Sequence, residues 1–168
     1  MKVYVLLAER GVQHPQTVLV SLLNVGWAVT QLRRPLAPSP LPGGPLPMVT
    51  GPQTVVVLLE AELAMCNRPL LLEIELLDDD GAVVPVDGPG GPQAVRLEQQ
   101  VVVPSPSGVP TGFPGRASTM MDVPVGLPLA PGVYRWQVKL NGRTEADWAA
   151  SLYVAAPPEP PRFGYPAG

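Results

Sequence analysis

One cysteine and one histidine are all that these 168 residues hold of the two commonest metal-ligating and nucleophile-activating side chains. Cys66 excludes an internal disulfide and a cysteine metal cluster, and reads as a small, partly buried hydrophobe. His14, just before Pro15, reads as an exposed turn residue. Without further histidines, the usual triads and zinc sites lose their members. The G-x-S-x-G nucleophile elbow is missing, and no glycine-rich loop leads into a helix to cradle phosphate. Charge is scarce as well: 15% of residues, a formal net charge of −3 and no basic cluster, which speaks against nucleic acid. No apolar run approaches the ~20 residues that span a bilayer. The opening run, residues 3–8, stops at Glu9 and Arg10, too short for a signal-peptide core and without a cleavage site. The expectation is a cytoplasmic, non-enzymatic protein that needs no cofactor and engages neither membrane nor nucleic acid.

Apolar residues make up 46% of the chain, a folding composition, and there are 24 prolines. Average usage is about 5% proline. Proline breaks helix interiors and strand ladders, so it belongs in connections, and many connections mean many short elements. Arginine outnumbers lysine, and alanine, glycine, proline and valine are abundant, the compositional signature of a high-GC bacterium.

Residues 3–8 read as a first strand. Residues 17–30 hold several β-branched positions interrupted at Asn24 and Gly26, and read as two short strands or one bent near Gly26. Residues 35–52 form an extended Pro/Gly-rich loop. Residues 54–63 and 70–77 are the strongest strands, the second closed by an Asp78-Asp79-Asp80-Gly81 turn. Residues 82–86, 94–103 and 117–125 follow as strands, with a turn at residues 88–92, a second loop at residues 104–115 and a lead-in at residues 127–131. Residues 133–140 and 144–154 make a terminal hairpin. The expected fold is an all-β antiparallel sandwich, immunoglobulin/C2-like, of roughly nine strands over residues 1–156, with a proline-rich flexible tail at 157–168.

Alternation makes the last hairpin a sharp expectation. Tyr134, Trp136 and Val138 face one side; Trp148, Ala150 and Leu152 continue it on the next strand. A two-residue Asn141-Gly142 turn with regular pairing beyond it sets Trp136 against Asp147 and mixes the faces. A three-residue loop, Leu140-Asn141-Gly142, with a left-handed Gly142 keeps them apart, placing Tyr134 opposite Trp148 and Trp136 opposite Ala146.

Several stretches resemble an uncharacterised family of small bacterial all-β proteins. They are Gly26-Trp27, Asn67-Arg68-Pro69, Glu73 through Asp80-Gly81, the run from Pro131 to Trp136, then Gly142 and Trp148. The resemblance spans most of residues 1–154 and implies a β-sandwich. It brings no catalytic residues, and the chain departs from it in the proline-rich loops at residues 35–52 and 104–115.

The candidate sites are few. By alternation Glu60 and Glu62 share one face of their strand, and Glu73 and Glu75 one face of the next. Were these strands paired, four carboxylates would gather on one sheet surface with Arg68 nearby: a solvated polar face, or an acidic face for a partner. Asp78, Asp79 and Asp80 are hard oxygen donors in a loop, weak candidates for calcium if Asp87 or Asp122 joined them; a plain aspartate turn is the simpler reading. Trp27, Tyr134, Trp136 and Trp148 are read as core. The leading functional reading is a binding or accessory module that meets another protein, or itself, through a sheet face or the loops at one end. The alternatives are a structural subunit of a larger, phage-derived or other, assembly and a small-ligand or calcium-binding sandwich.

Overall fold

The computed structural model describes residues 1–13, 20–34, 48–88, 91–110 and 112–157. The expectations for His14, for residues 35–47 and for the tail beyond Pro157 lie outside the described residues. Within them the chain is all-β: β1 (Lys2–Gln13), β2 (Val20–Val25), β3 (Val29–Gln31), β4 (Gln53–Ala61), β5 (Pro69–Leu77), β6 (Pro85–Gly88), β7 (Gly91–Ala94), β8 (Arg96–Val102), β9 (Gly115–Val123), β10 (Gly132–Leu140) and β11 (Ala149–Ala155). A single 3-10 turn, Leu63–Met65, interrupts the strands. No helix among the described residues is long and apolar enough to cross a membrane.

One sheet has the order β2-β1-β4-β9, a second β3-β11-β10-β5-β8, and β6-β7 form a two-stranded ribbon. A single hydrophobic cluster joins the two large sheets. Alternate residues of β4 (Val55, Val57, Leu59) and of β5 (Leu72, Ile74, Leu76) belong to it, each at most 2% exposed. Trp136 of β10 is fully buried in that cluster, and its indole nitrogen donates to Gln53 Oε1 of β4 at 3.4 Å, tying one sheet to the other. Trp148 is buried as well, while Trp27 and Tyr134 pack on the cluster half-buried, so the expected aromatic core is present in graded form. Each fully buried ring or aliphatic side chain contributes on the order of 1.5–3 kcal/mol.

The segment at residues 17–30 does break at Gly26, whose φ of 82° is left-handed. The break sends β2 and β3 to different sheets. β3 then runs parallel to β11, with Tyr153 N–H donating to Ala28 O at 2.7 Å, so the expected wholly antiparallel pairing is corrected at this pair. The expected strand over residues 94–103 divides at Val95, because Val95 N–H donates to Val84 O and the chain before it pairs as the β6–β7 ribbon.

The terminal hairpin keeps its expected sidedness but not its register. Asn141 (φ 49°) and Gly142 (φ 75°) make a two-residue turn closed by the Leu140–Arg143 pair. The chain then bulges before β11 begins, and Trp136 lies opposite Ala150 rather than Ala146. The buried Gln137 amide holds the bulge, donating to Thr144 Oγ1 at 2.6 Å and to Trp148 O at 3.0 Å. A shift of an even number of residues preserves the two faces, which is why alternation alone does not fix it.

β1 is far longer than residues 3–8 because it serves two neighbours. From Lys2 to Ala8 it pairs with β4, and from Ala8 to Gln13 with β2. This second half bends over the outer face of its own sheet, and Gln13 Nε2 reaches Ser118 O of β9, two strands away, at 3.1 Å. Gly11 is the contact point: a Cβ there would stand 2.6 Å from Met120 Sδ and 3.1 Å from Thr54 Cγ2. The arm explains why Val56, Thr54 and Ala8 are buried on a face that would otherwise meet water.

At the end of the sheets where β4 begins, Thr50 N–H donates to Leu127 O at 2.9 Å and Leu127 N–H returns a bond to Thr50 Oγ1 at 3.0 Å. Gly126 beside them has φ 81°, and a Cβ there would lie 2.0 Å from Thr50 O. Only glycine fits that clasp.

Candidate functional site

The four glutamates do not gather. β4 and β5 belong to different sheets, so the connection through the 3-10 turn carries the chain across the core instead of folding a hairpin. Glu60 lies on the outer face of the first sheet between Lys2 Nζ at 3.3 Å and Arg116 Nη2 at 3.2 Å. The hydrogen bond from Lys2 holds its carboxyl below the usual carboxylate range, aided by Arg116 and opposed by partial desolvation. Glu62 follows the last residue of β4 and is exposed; its carbonyl accepts the Met65 N–H of the turn at 2.8 Å.

Glu73 and Glu75 share the outer face of the second sheet, as alternation requires, but that face is not acidic. Glu73 sits opposite Glu98 on β8, and Glu75 opposite Arg96. The Arg96 guanidinium bridges the like-charged pair, bonding Glu73 closely and Glu98 at 3.2 Å, while its Nε lies 3.4 Å from Glu75. Lys139 Nζ of β10 reaches Glu75 Oε2 at 2.6 Å. The side chains of Glu73 and Glu75 are 10% and 5% exposed, so these carboxylates are largely withdrawn from solvent under their own counter-ions. Arg96 and Lys139, not Arg68, do the neutralising.

The aspartates form the expected turn. Asp78 Oδ1 accepts the Ala82 N–H at 2.8 Å and its carbonyl accepts Gly81 N–H at 3.1 Å. Asp122 is elsewhere, on β9, accepting the Thr54 hydroxyl at 2.6 Å. Among the described residues no three histidine, cysteine, aspartate or glutamate side chains come together as a metal site.

The most built surface is the end where the connections β4–β5, β8–β9 and β10–β11 meet. Two asparagines in left-handed conformation clamp it, Asn67 at φ 56° and Asn141 at φ 49°. Asn67 N–H donates to Val103 O at 2.9 Å, its Nδ2 donates to Ser105 Oγ at 2.9 Å, and its Oδ1 accepts Ser105 N–H at 3.1 Å. Asn141 N–H donates to Leu71 O and its Oδ1 accepts Leu71 N–H, both at 2.8 Å. Between the clamps lies a cleft of about 670 Å³, floored by Met1, Met65, Leu70 and Trp148 and rimmed by Arg143 and Glu145. That volume suits a bulky side chain or a few residues of a partner. Leu63 and Met65 on the 3-10 turn are 46% and 38% exposed beside it. The cleft offers apolar contact with one charge of each sign at its rim.

Sequence reading marked Asn141 only as a turn residue and Asn67 only within the Asn67-Arg68-Pro69 stretch of the resemblance. Met65 and Arg143 went unmarked, since a methionine in a short connection and a charge in a loop carry no periodic signal, and Glu145 was read as the wet face of a strand that begins only at Ala149. No protein-family model matches the chain, and no curated protein matches it.

Proposed function

We propose that the protein is a non-enzymatic binding module of the bacterial cytoplasm, an immunoglobulin-like β-sandwich whose loop end receives another protein. Strand neighbours support the sandwich reading. β1-β4-β9 stand in the relation of strands A, B and E, and β11-β10-β5 in that of G, F and C, with β8 added beside C. Tyr134, near the start of β10, donates its hydroxyl to Ala130 O at 2.9 Å, the bond of a tyrosine corner. In that correspondence β4–β5 and β10–β11 are the loops that variable domains use for recognition.

The observation that carries the functional reading is the clamped cleft. Its walls are fixed by side-chain to backbone bonds in the free protein, so a partner meets a preformed surface and loses little to ordering it. The test is capture from cell extract with tagged full-length protein at native levels. Wild type should recover a specific partner, and Met65→Glu combined with Arg143→Glu should lose it. Failure to recover any specific partner, or equal recovery by the variant, contradicts the reading.

A second reading, a structural subunit of a larger assembly, draws on another observation. On the outer face of the second sheet Tyr153 lies opposite both Val29 and Val133, and the three are 47%, 59% and 49% exposed. Light scattering coupled to size-exclusion chromatography over a tenfold concentration range checks it; a strict monomer removes it.

A further inference from the structure

The clamped cleft has a charged rim that its own surroundings leave unanswered. Arg143 and Glu145 both line it, and among the described residues neither side chain has an ion-pair partner. Thr144 between them bonds inward, its hydroxyl donating to Val138 O at 2.7 Å and accepting from Gln137 Nε2 at 2.6 Å. Arg143 and Glu145, on either side of it, are exposed. Below them the floor is apolar, with Met65, Leu70 and Trp148. An occupant that suits this cleft brings one bulky apolar side chain, a carboxylate for Arg143 and a cation for Glu145.

The chain carries that set itself. Residues 157–163 read Pro-Pro-Glu-Pro-Pro-Arg-Phe, and Pro157 is the last described residue. The other stretches outside the described residues, 14–19, 35–47, 89–90 and 111, hold no carboxylate, lysine or arginine. Only the tail therefore offers both signs of charge and an aromatic ring together. A sequence so rich in proline favours polyproline II, whose three residues per turn put positions 159 and 162 on one side, about 9 Å apart. Proline also leaves less conformational freedom to lose on docking.

Distance decides whose cleft the tail meets. β11 begins beside Trp148 at the cleft and ends at Ala155, next to Gln31 at the opposite end of the sheet. Trp148 and Pro157 are nine residues apart, most of them in β11, which is about 30 Å at the rise of a strand. Pro157 and Phe163 are six residues apart, about 20 Å however extended the chain between them. Phe163 therefore falls short of the cleft of its own molecule. The cleft within its reach is that of a second copy.

We propose that the clamped cleft of one molecule receives the tail of another. Phe163 enters over Met65 and Trp148, Glu159 meets Arg143, and Arg162 meets Glu145. The proposal rests on the reading of the cleft as a binding site and names its occupant as a second copy of this chain. Two molecules lying side by side in opposite directions exchange tails reciprocally, and the contact closes as a dimer.

The test is light scattering coupled to size-exclusion chromatography of the full-length protein over a tenfold concentration range. The Trp148 indole resonance is followed in a proton–nitrogen spectrum over the same range. The mass should rise above that of the monomer with concentration, and the Trp148 resonance should move with it. Phe163→Ser should weaken the association by about tenfold or more, and Arg162→Glu by roughly fivefold. Adding Glu145→Arg to Arg162→Glu should restore it, because the pair is then re-formed with its signs exchanged. Should Glu145→Arg disturb the fold, the two tail variants decide alone. A strict monomer overturns the inference, and so does association that Phe163→Ser leaves unchanged. A Trp148 resonance that moves with Phe163→Ser while the mass stays monomeric overturns it too, by placing the tail in its own cleft. The reading of the cleft as a binding site survives a strict monomer, provided Met65→Glu with Arg143→Glu abolishes capture of a partner from extract.

Discussion

The two ends of the molecule secure their connections by opposite means. At the loop end, asparagine side chains stand in for missing backbone partners. Asn67 and Asn141 each give and accept bonds with a neighbouring segment, and Glu60 has a cation on either side. At the other end the Thr50–Leu127 clasp closes on a glycine with no room for a side chain, and two buried donors go unpaired beside it. Satisfied polar groups make a surface that is complete by itself. Unsatisfied ones, where the other buried side-chain polar atoms of the described residues have partners, leave that end carrying an uncompensated cost of leaving water.

That contrast sets the size of the expected mutational effects. Gly126→Ala is the most damaging change: it forces alanine to φ 81° with its Cβ 2.0 Å from Thr50 O, and should cost about 3 kcal/mol or more in urea unfolding. Near-wild-type stability would mean that the clasp yields easily and that the far end is not rigid. Asn141→Ala comes next, at about 2 kcal/mol, since it strips the acceptor from Leu71 N–H and leaves alanine at φ 49°. Asn141→Gly should recover roughly half of that by relieving the backbone while the bond stays lost. If glycine recovers everything, the asparagine acts through its backbone alone and the clamp is not a clamp.

Trp27→Phe should cost only about 1 kcal/mol, the packing lost against the core cluster, because the deleted N–H has no partner to lose. A loss well beyond that packing cost would show that this donor is paired after all and would erase the difference between the ends. The smallest effect is electrostatic. Glu60 is held below its ordinary pKa in the folded protein, so it contributes stability at neutral pH that disappears as pH falls through that depressed value. Unfolding curves between pH 7 and pH 3 should lose this contribution on the acid side, and Glu60→Gln should flatten that limb.

How far the sequence carried the fold depends on distance along the chain. β4 and β5 were legible as runs rich in apolar residues and β10 by its alternation, while β9 was a weaker candidate, and Gly26 was legible as a break because it interrupts a β-branched run. The pairing partners were not. Glu60 and Glu75 look like neighbours across a short connection, yet Asn67 ties that connection to Val103, and the chain crosses to the other sheet. The curl of β1 over Met120 depends on a glycine at position 11 meeting a methionine more than a hundred residues later. The register of the last hairpin depends on Gln137 finding Thr144 and Trp148 in a bulge. Each of these is a side chain serving a distant backbone, which no local period announces. The candidate sites followed the same rule: charged residues were visible in the sequence, whereas the clamps and the unpaired donors exist only once the sheets are assembled.

Amide hydrogen exchange of the free, full-length protein tests most directly whether the loop end is set before any partner arrives. The amides of Leu71, Asn67, Ser105 and Asn141, all bonded through the two clamps, should exchange slowly, near the rates of the core strands β5 and β10. Asn141→Gly should release Leu71 selectively. Exchange of all four at the rate of open loops would contradict a preformed binding end and leave the cleft as a passing arrangement of flexible connections.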